Sequence, residues 1–205
     1  MLRKLLNSRY FLWLVLIIPG VVTLVRYATG DTFYGEVIHS TGQFSTRLLI
    51  VTMAATPFRL MFPSRAWAHW LVRQRRYFGV AAFGYAALHT GVYLARAESF
   101  DDILSEAREV GLLTGWIAFA IFVPLAITSN DNSVRWLGRW WKAMHRWVYV
   151  AAAVTLAHWV LTAFDPLPGF YHLAVLVTLE TTRIVLELIR GRRRTTTESP
   201  SNLRG

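Results

Sequence analysis

The chain has 205 residues, 54% of them hydrophobic, with 9 Trp and a mean hydropathy of +0.35, which is too apolar for an ordinary soluble domain of this length. It contains no cysteine, so disulfides, thiolate metal sites and a cysteine nucleophile are excluded. The formal net charge of +10 would suit nucleic acid, but no soluble basic face or nucleic-acid motif accompanies it, and the placement of the charge favours a membrane explanation.

In chain order, MLRKLLNSR precedes an apolar run from Tyr10 to Val25, broken by Pro19-Gly20. No small-residue cleavage site follows it, and Arg26-Tyr27 flank it instead, so it reads as an uncleaved first span. A polar loop with Asp31 and Glu36 leads to a second run, Phe44 to Met61, which Pro57 should kink or stop. The stretch from Phe62 to Tyr77 is polar and basic and is expected as a loop, followed by a third span from Phe78 to Leu94 that carries His89. The acidic segment Arg96 to Val110 suits a short surface helix, and Gly111 to Thr128 a fourth span. After a loop from Ser129 to Lys142, the run Arg139 to Leu161 carries two histidines, His145 and His158, as a fifth span. A turn at Asp165 to Gly169 leads to a sixth span, Phe170 to Ile189, and a charged, then Ser/Thr-rich, tail expected to be disordered.

The expected architecture is an all-α integral membrane protein, a bundle of six spans over residues 1–190 with a disordered cytoplasmic tail over residues 191–205. Orientation follows from the basic residues: 17 of the 22 Lys and Arg fall on one side of these spans, which puts both termini in the cytoplasm.

Histidine inside a membrane span is expensive unless it has a partner, so these residues carry the functional reading. His89 and His158 both fall in the outer halves of parallel spans, at matching depth, where two imidazoles could clamp one haem iron from its two axial sides. The alternative is that each bonds a neighbouring carbonyl or lines a water-filled cavity. His145 lies 13 residues before His158, about 20 Å along a helix and on a different side of it. An inner haem would have His145 as one ligand and Arg75, water or nothing as the other; His145 as an interfacial residue of a basic, Trp-rich turn is the competing reading.

His39 at the outer mouth of span two could serve a haem propionate or a quinone, against the simpler reading of an interfacial residue; His69 in a cytoplasmic loop reads as solvated and His172 at the start of span six as structural. Glu180, Arg183 and Glu187 can pair locally on span six. Arg47, with no acidic residue at helical spacing, could neutralise a haem propionate or snorkel to the surface. A transporter using the histidines as a proton relay is the non-redox alternative.

The segments HSTGQFSTRLL and TPFR within 39–59, RQRRYFGVAAFGYAALH at 73–89 and GRWWKAMHRWVYVAAAVTLAH at 138–158 resemble the MsrQ (YedZ) family. That family provides the haem-binding membrane subunit of the bacterial MsrPQ methionine-sulfoxide repair system, within the ferric-reductase-like transmembrane group. The resemblance implies b-type haem, one or two per chain, with His89, His145 and His158 at the iron, and FMN as a further family cofactor. It implies an electron-transfer subunit of an oxidoreductase complex in the bacterial inner membrane. Its partner would be a periplasmic MsrP-like molybdopterin reductase and its donor a quinol or a cytoplasmic flavin reductase. The alternative is a stand-alone ferric or quinone oxidoreductase of the cytochrome b type. The arginine after Thr-Gly is displaced to Arg47, a departure from the family pattern.

Overall fold

A computed structural model describes residues 8–197, and among these the regular structure is entirely helical. Nine helices run in order among the described residues: α1 Arg9–Ala28, α2 Tyr34–Met61, α3 Ala66–Arg96, α4 Phe100–Glu106, α5 Val110–Ile127, α6 Asp131–Leu137, α7 Arg139–His145, α8 Val148–Thr162 and α9 Leu167–Thr197. Several starts are written locally. Ser8 accepts the Phe11 N–H ahead of α1, Ser99 accepts the Asp102 N–H ahead of α4, and Asn130 accepts the Ser133 N–H ahead of α6. Asp101 and Asp102 in the first turn of α4 also complement the positive end of its dipole.

The acidic segment forms α4 and the fourth apolar run forms α5, as expected from their composition. Other boundaries differ. α2 begins at Tyr34, so Glu36 and His39 belong to the helix, and Pro57 sits fully buried inside it without ending it. Most of the basic stretch expected as a loop is helical, because nothing from Ala66 onward breaks α3; the only connection is residues 62–65. His69 therefore sits on α3, with its Nε2 donating to the Pro63 carbonyl at 2.7 Å. α9 continues the sixth run through Thr197, and the rest of the tail, residues 198–205, lies outside the described residues.

The largest difference is in the fifth run, which is two helices. α7 ends at His145 and α8 begins at Val148, with the Arg146 and Trp147 N–H groups turned to the carbonyls three residues back, Ala143 and Met144. Tethers to the end of α5 hold this break: Trp141 Nε1 donates to Thr128 O at 2.9 Å, and His145 Nε2 meets Thr128 Oγ1 at 3.1 Å. Gly138, at φ +51, makes the preceding break between α6 and α7, a conformation a side chain would strain. An ideal-helix angle between His145 and His158 therefore does not apply, since they stand on separate helices.

The core joins α2, α3, α5, α8 and α9 through Leu49, Met53, Ala82, Phe122, Leu156, Trp159 and Leu176, with Ala151 and Ala152 letting α8 approach closely. α1 attaches by Leu12 and Leu16 against Ala81 and turns Ile17, Ile18, Val21 and Val22 outward. Helices α1, α3 and α5 are long and apolar enough to cross a membrane by length and composition.

Pro19 removes one donor from the ladder of α1, and Tyr85 of α3 fills the opening beside it. The Gly20 N–H donates to the Tyr85 hydroxyl at 2.8 Å, and that hydroxyl donates to the Leu16 carbonyl at 2.8 Å. The hydroxyl thus stands between a donor and an acceptor that an unbroken helix would join directly. A Cβ at Gly20 would lie 3.2 Å from the Tyr85 ring, so the approach depends on glycine. Tyr85→Phe should cost about 1–2 kcal/mol, the expected penalty for leaving two buried backbone groups poorly partnered, read as a lower thermal-unfolding midpoint in detergent.

Candidate functional site

A cavity of about 800 Å³ opens between α2, α3, α5 and α8, within the roughly 300–1,000 Å³ range of cofactor and small-molecule sites. Its mouth lies among Phe33, Tyr34, Phe164 and Asp165, at the connections α1–α2 and α8–α9. Its walls are mostly apolar, and the hydroxyls of Ser45 and Thr46 on α2 are turned to the backbone carbonyls of Ala82 on α3 and Gly42 on α2.

Of the three histidines that line this space, two stand close together on different helices, His89 from α3 and His158 from α8. Their ring centres are 6.1 Å apart and their planes cross at 87°. His89 Nδ1 donates to the Ile38 carbonyl at 3.0 Å, with Thr41 Oγ1 at 3.4 Å, and His158 Nδ1 donates to the Gly111 carbonyl at 2.8 Å. A carbonyl can only accept, so each ring carries its proton on Nδ1 and keeps the lone pair of Nε2. A metal-binding imidazole needs this arrangement, with the other nitrogen orienting the ring.

The rings are seated against glycines. A Cβ at Gly115 would lie 2.8 Å from His158 Cε1 and 2.9 Å from its Nδ1, and one at Gly42 would lie 3.3 Å from His89. Two donors in the cavity wall, Trp159 Nε1 and Thr155 Oγ1, are buried without a hydrogen-bond partner among the described residues. Buried polar atoms are nearly always satisfied, so these two fit a cavity whose occupant brings acceptors.

The other sequence candidates lie elsewhere. His145 stacks on Trp141 with ring centres 3.9 Å apart, away from the cavity lining. The Thr128 hydroxyl donates to Pro124 O at 2.6 Å, which leaves its oxygen to accept from His145 Nε2. Arg75 and Arg76 lie near enough for their charges to act on His145, but Arg76 is paired with Asp131 at 2.7 Å. That hydrogen bond holds the exposed Asp131 carboxyl below its usual range. Arg47 is exposed and outside the cavity lining, with its Nη2 on Gln43 Oε1 at 2.9 Å. His39 and Gln43 are at the cavity. His172 tilts against Trp159 at 4.7 Å and donates from Nδ1 to Pro168 O. The local pairing on α9 is present: Arg183 meets Glu180 at 2.8 Å and Glu187 at 3.9 Å, and it donates to the Tyr149 hydroxyl as well.

Beside the mouth is a second, polar hollow of about 490 Å³ that shares Tyr34 and Tyr93 with the first. Tyr93 donates to Glu106 of α4 at 2.6 Å, and the Arg96 guanidinium lies 4.4 Å from the centre of the Tyr34 ring. Sequence reasoning did not single out Gly42, Gly115, Trp159 or Gln43. Only the last carries a local signal, its four-residue spacing from His39 and from Arg47.

A family model described as "Ferric reductase like transmembrane component" matches residues 41–156. Proteins of Brucella ovis and Brucella canis, each named "Protein-methionine-sulfoxide reductase heme-binding subunit MsrQ", are 31% identical to this chain over 196 residues, covering 91% of it and 87% of each relative.

The glycine contacts lead to an ordered expectation. Gly115→Ala should push the His158 ring off the Gly111 carbonyl and move its ring-nitrogen resonances. Gly42→Ala should shift those of His89 by less, because its added Cβ has about half an ångström more room. Equal effects, or none at His158, would contradict this seating.

Proposed function

The chain belongs to the ferric-reductase-like transmembrane family and, within it, to the MsrQ subunits, and on that premise we propose that it is a b-type cytochrome passing electrons across the bacterial inner membrane to a periplasmic MsrP-like molybdopterin reductase. The activity served would be repair of oxidised methionine in periplasmic proteins. The observation that carries the reading is the facing pair His89 and His158. Two imidazoles that share one metal ion from opposite sides, each nitrogen roughly 2 Å from it, have ring centres roughly 6 Å apart, against the 6.1 Å between these rings.

Haem bound there supplies a one-electron iron couple. The protein's part is to present two lone pairs, fix both rings through Ile38 and Gly111, and keep water from the site with Phe119, Phe122 and Trp159. His145 is the residue that would hold a second haem, and it would have to give up Thr128 or bind through its other nitrogen. The reading does not require FMN.

We read six spans: α1, α2, α3, α5, α7 with α8, and α9, with both termini cytoplasmic. The bias of 17 of 22 basic residues to one side supports this, as do the three helices long and apolar enough to cross. The cavity mouth then opens toward the periplasm, next to α4, while quinol or a cytoplasmic flavin reductase supplies electrons from the other side.

Replacing either His89 or His158 with Ala should abolish the haem absorbance of this site in purified protein; full haem content with an unchanged spectrum in both variants would refute the assignment. His145→Ala should lower the haem-to-protein ratio while the absorbance of the His89–His158 site persists. The acidic segment at α4, beside the mouth, is the surface on which the partner would dock, and Asp101→Asn with Glu109→Gln removes charge there without touching Glu106, which Tyr93 holds. Electron transfer to the partner should slow severalfold at low salt, and the difference should fade once the Debye length falls to about 10 Å near 0.1 M.

A further inference from the structure

A polar row at the cavity mouth is not used by the iron site. His39, Gln43 and Arg47 stand four residues apart along α2, and a helix brings such positions onto neighbouring turns of one face. Arg47 Nη2 donates to Gln43 Oε1 at 2.9 Å, and Gln43 Nε2 lies 2.7 Å from His39 Nε2. Chemistry dictates the direction of this chain. A guanidinium only donates, so the Gln43 atom it meets is the carbonyl oxygen and the amide NH₂ is turned to His39. That NH₂ in turn only donates, so His39 Nε2 accepts with its lone pair and the imidazole carries its proton on Nδ1.

The row therefore presents one defined donor, His39 Nδ1–H, on a residue of the cavity lining, and no partner among the described residues takes it. The two carboxylates of the same mouth are held by their own surroundings. Glu36 accepts from Thr32 Oγ1 and faces Arg26 at 3.6 Å, and Asp165 Oδ1 accepts the Leu167 N–H at 3.0 Å. Arg47 stays outside the cavity and acts on it through the hydrogen bond that orients the Gln43 amide.

We infer that His39 holds a carboxylate of the cavity's occupant through Nδ1–H, with Gln43 and Arg47 as positioning residues that set its tautomer. Resting on the haem reading above, this means that the haem is seated by a propionate at the mouth and that the site discriminates for that carboxylate. A hydrogen bond to an ionised acceptor is stronger than one between neutral groups, so the selectivity is carried by the propionate charge.

The test uses the full chain in detergent, titrated with haem b and with haem b dimethyl ester, in which both propionates are masked. The parent should favour haem over the ester by roughly tenfold, as expected for one charge-assisted hydrogen bond. His39→Ala should bring that preference close to one while keeping the absorbance of the His89–His158 site, and His39→Asn, which can return an N–H, should restore part of it. A preference unchanged in His39→Ala overturns the inference and leaves the haem reading intact; a parent that binds neither compound overturns both. Ring-nitrogen NMR of histidine-labelled protein without haem adds a second readout. His39 should be protonated at Nδ1 in the parent and at Nε2 in Gln43→Glu, whose carboxylate can only accept; Nε2 protonation in the parent also overturns the inference.

Discussion

Two hydrogen bonds from Nδ1 atoms to backbone carbonyls organise the site: His89 to Ile38 and His158 to Gly111. Each crosses between helices, from α3 to α2 and from α8 to α5, so each fixes a ring and a helix pair together. An intramembrane imidazole left unpartnered would be costly, and one bonded through both nitrogens would have no lone pair to offer. Satisfying one nitrogen with a carbonyl meets the first demand and leaves the second nitrogen free. The close approach this needs is possible because Gly42 and Gly115 lie where any side chain would press on the rings.

The same logic of opening a helix and filling the gap recurs away from the cavity. Pro19 interrupts α1, and the Tyr85 hydroxyl stands between the Gly20 N–H and the Leu16 carbonyl, so a local defect becomes an inter-helix contact. At the opposite end of the bundle, Thr128 at the end of α5 takes Trp141 through its carbonyl and His145 through its hydroxyl, and the fifth run turns at Arg146-Trp147 instead of continuing straight. At Pro19 the backbone groups beside the break are taken by a side chain of another helix, and at Arg146-Trp147 the freed N–H groups turn to carbonyls three residues back, so in both places the backbone is satisfied as a low-dielectric interior requires.

The polar row on α2 shows how much chemistry can depend on direction. Arg47 has no carboxylate at helical spacing and looks isolated in the sequence. Through Gln43 it reaches His39 and determines which ring nitrogen keeps the proton.

Much of this was legible without coordinates because it depends on local composition. The apolar runs at Tyr10 to Val25 and Gly111 to Thr128 became α1 and α5, the acidic stretch became α4, and the motifs around His89 and His158 carried a family resemblance that the comparisons bear out. Pairing His89 with His158 followed from matching depth on parallel runs, since rise per residue is nearly constant in a helix. What local pattern could not contain was set by neighbours remote in sequence. The break after His145 contains neither proline nor glycine; it is held by Thr128, so no window around it reveals it. The helical extension of α3 back to Ala66 hid behind a basic composition that suits a loop as well as an exposed helix end. The glycines against the two rings are ordinary residues in the sequence. They gain their role only when α2 meets α3 and α5 meets α8, because which face of each helix turns inward is decided by how the helices pack together and not by any one of them alone.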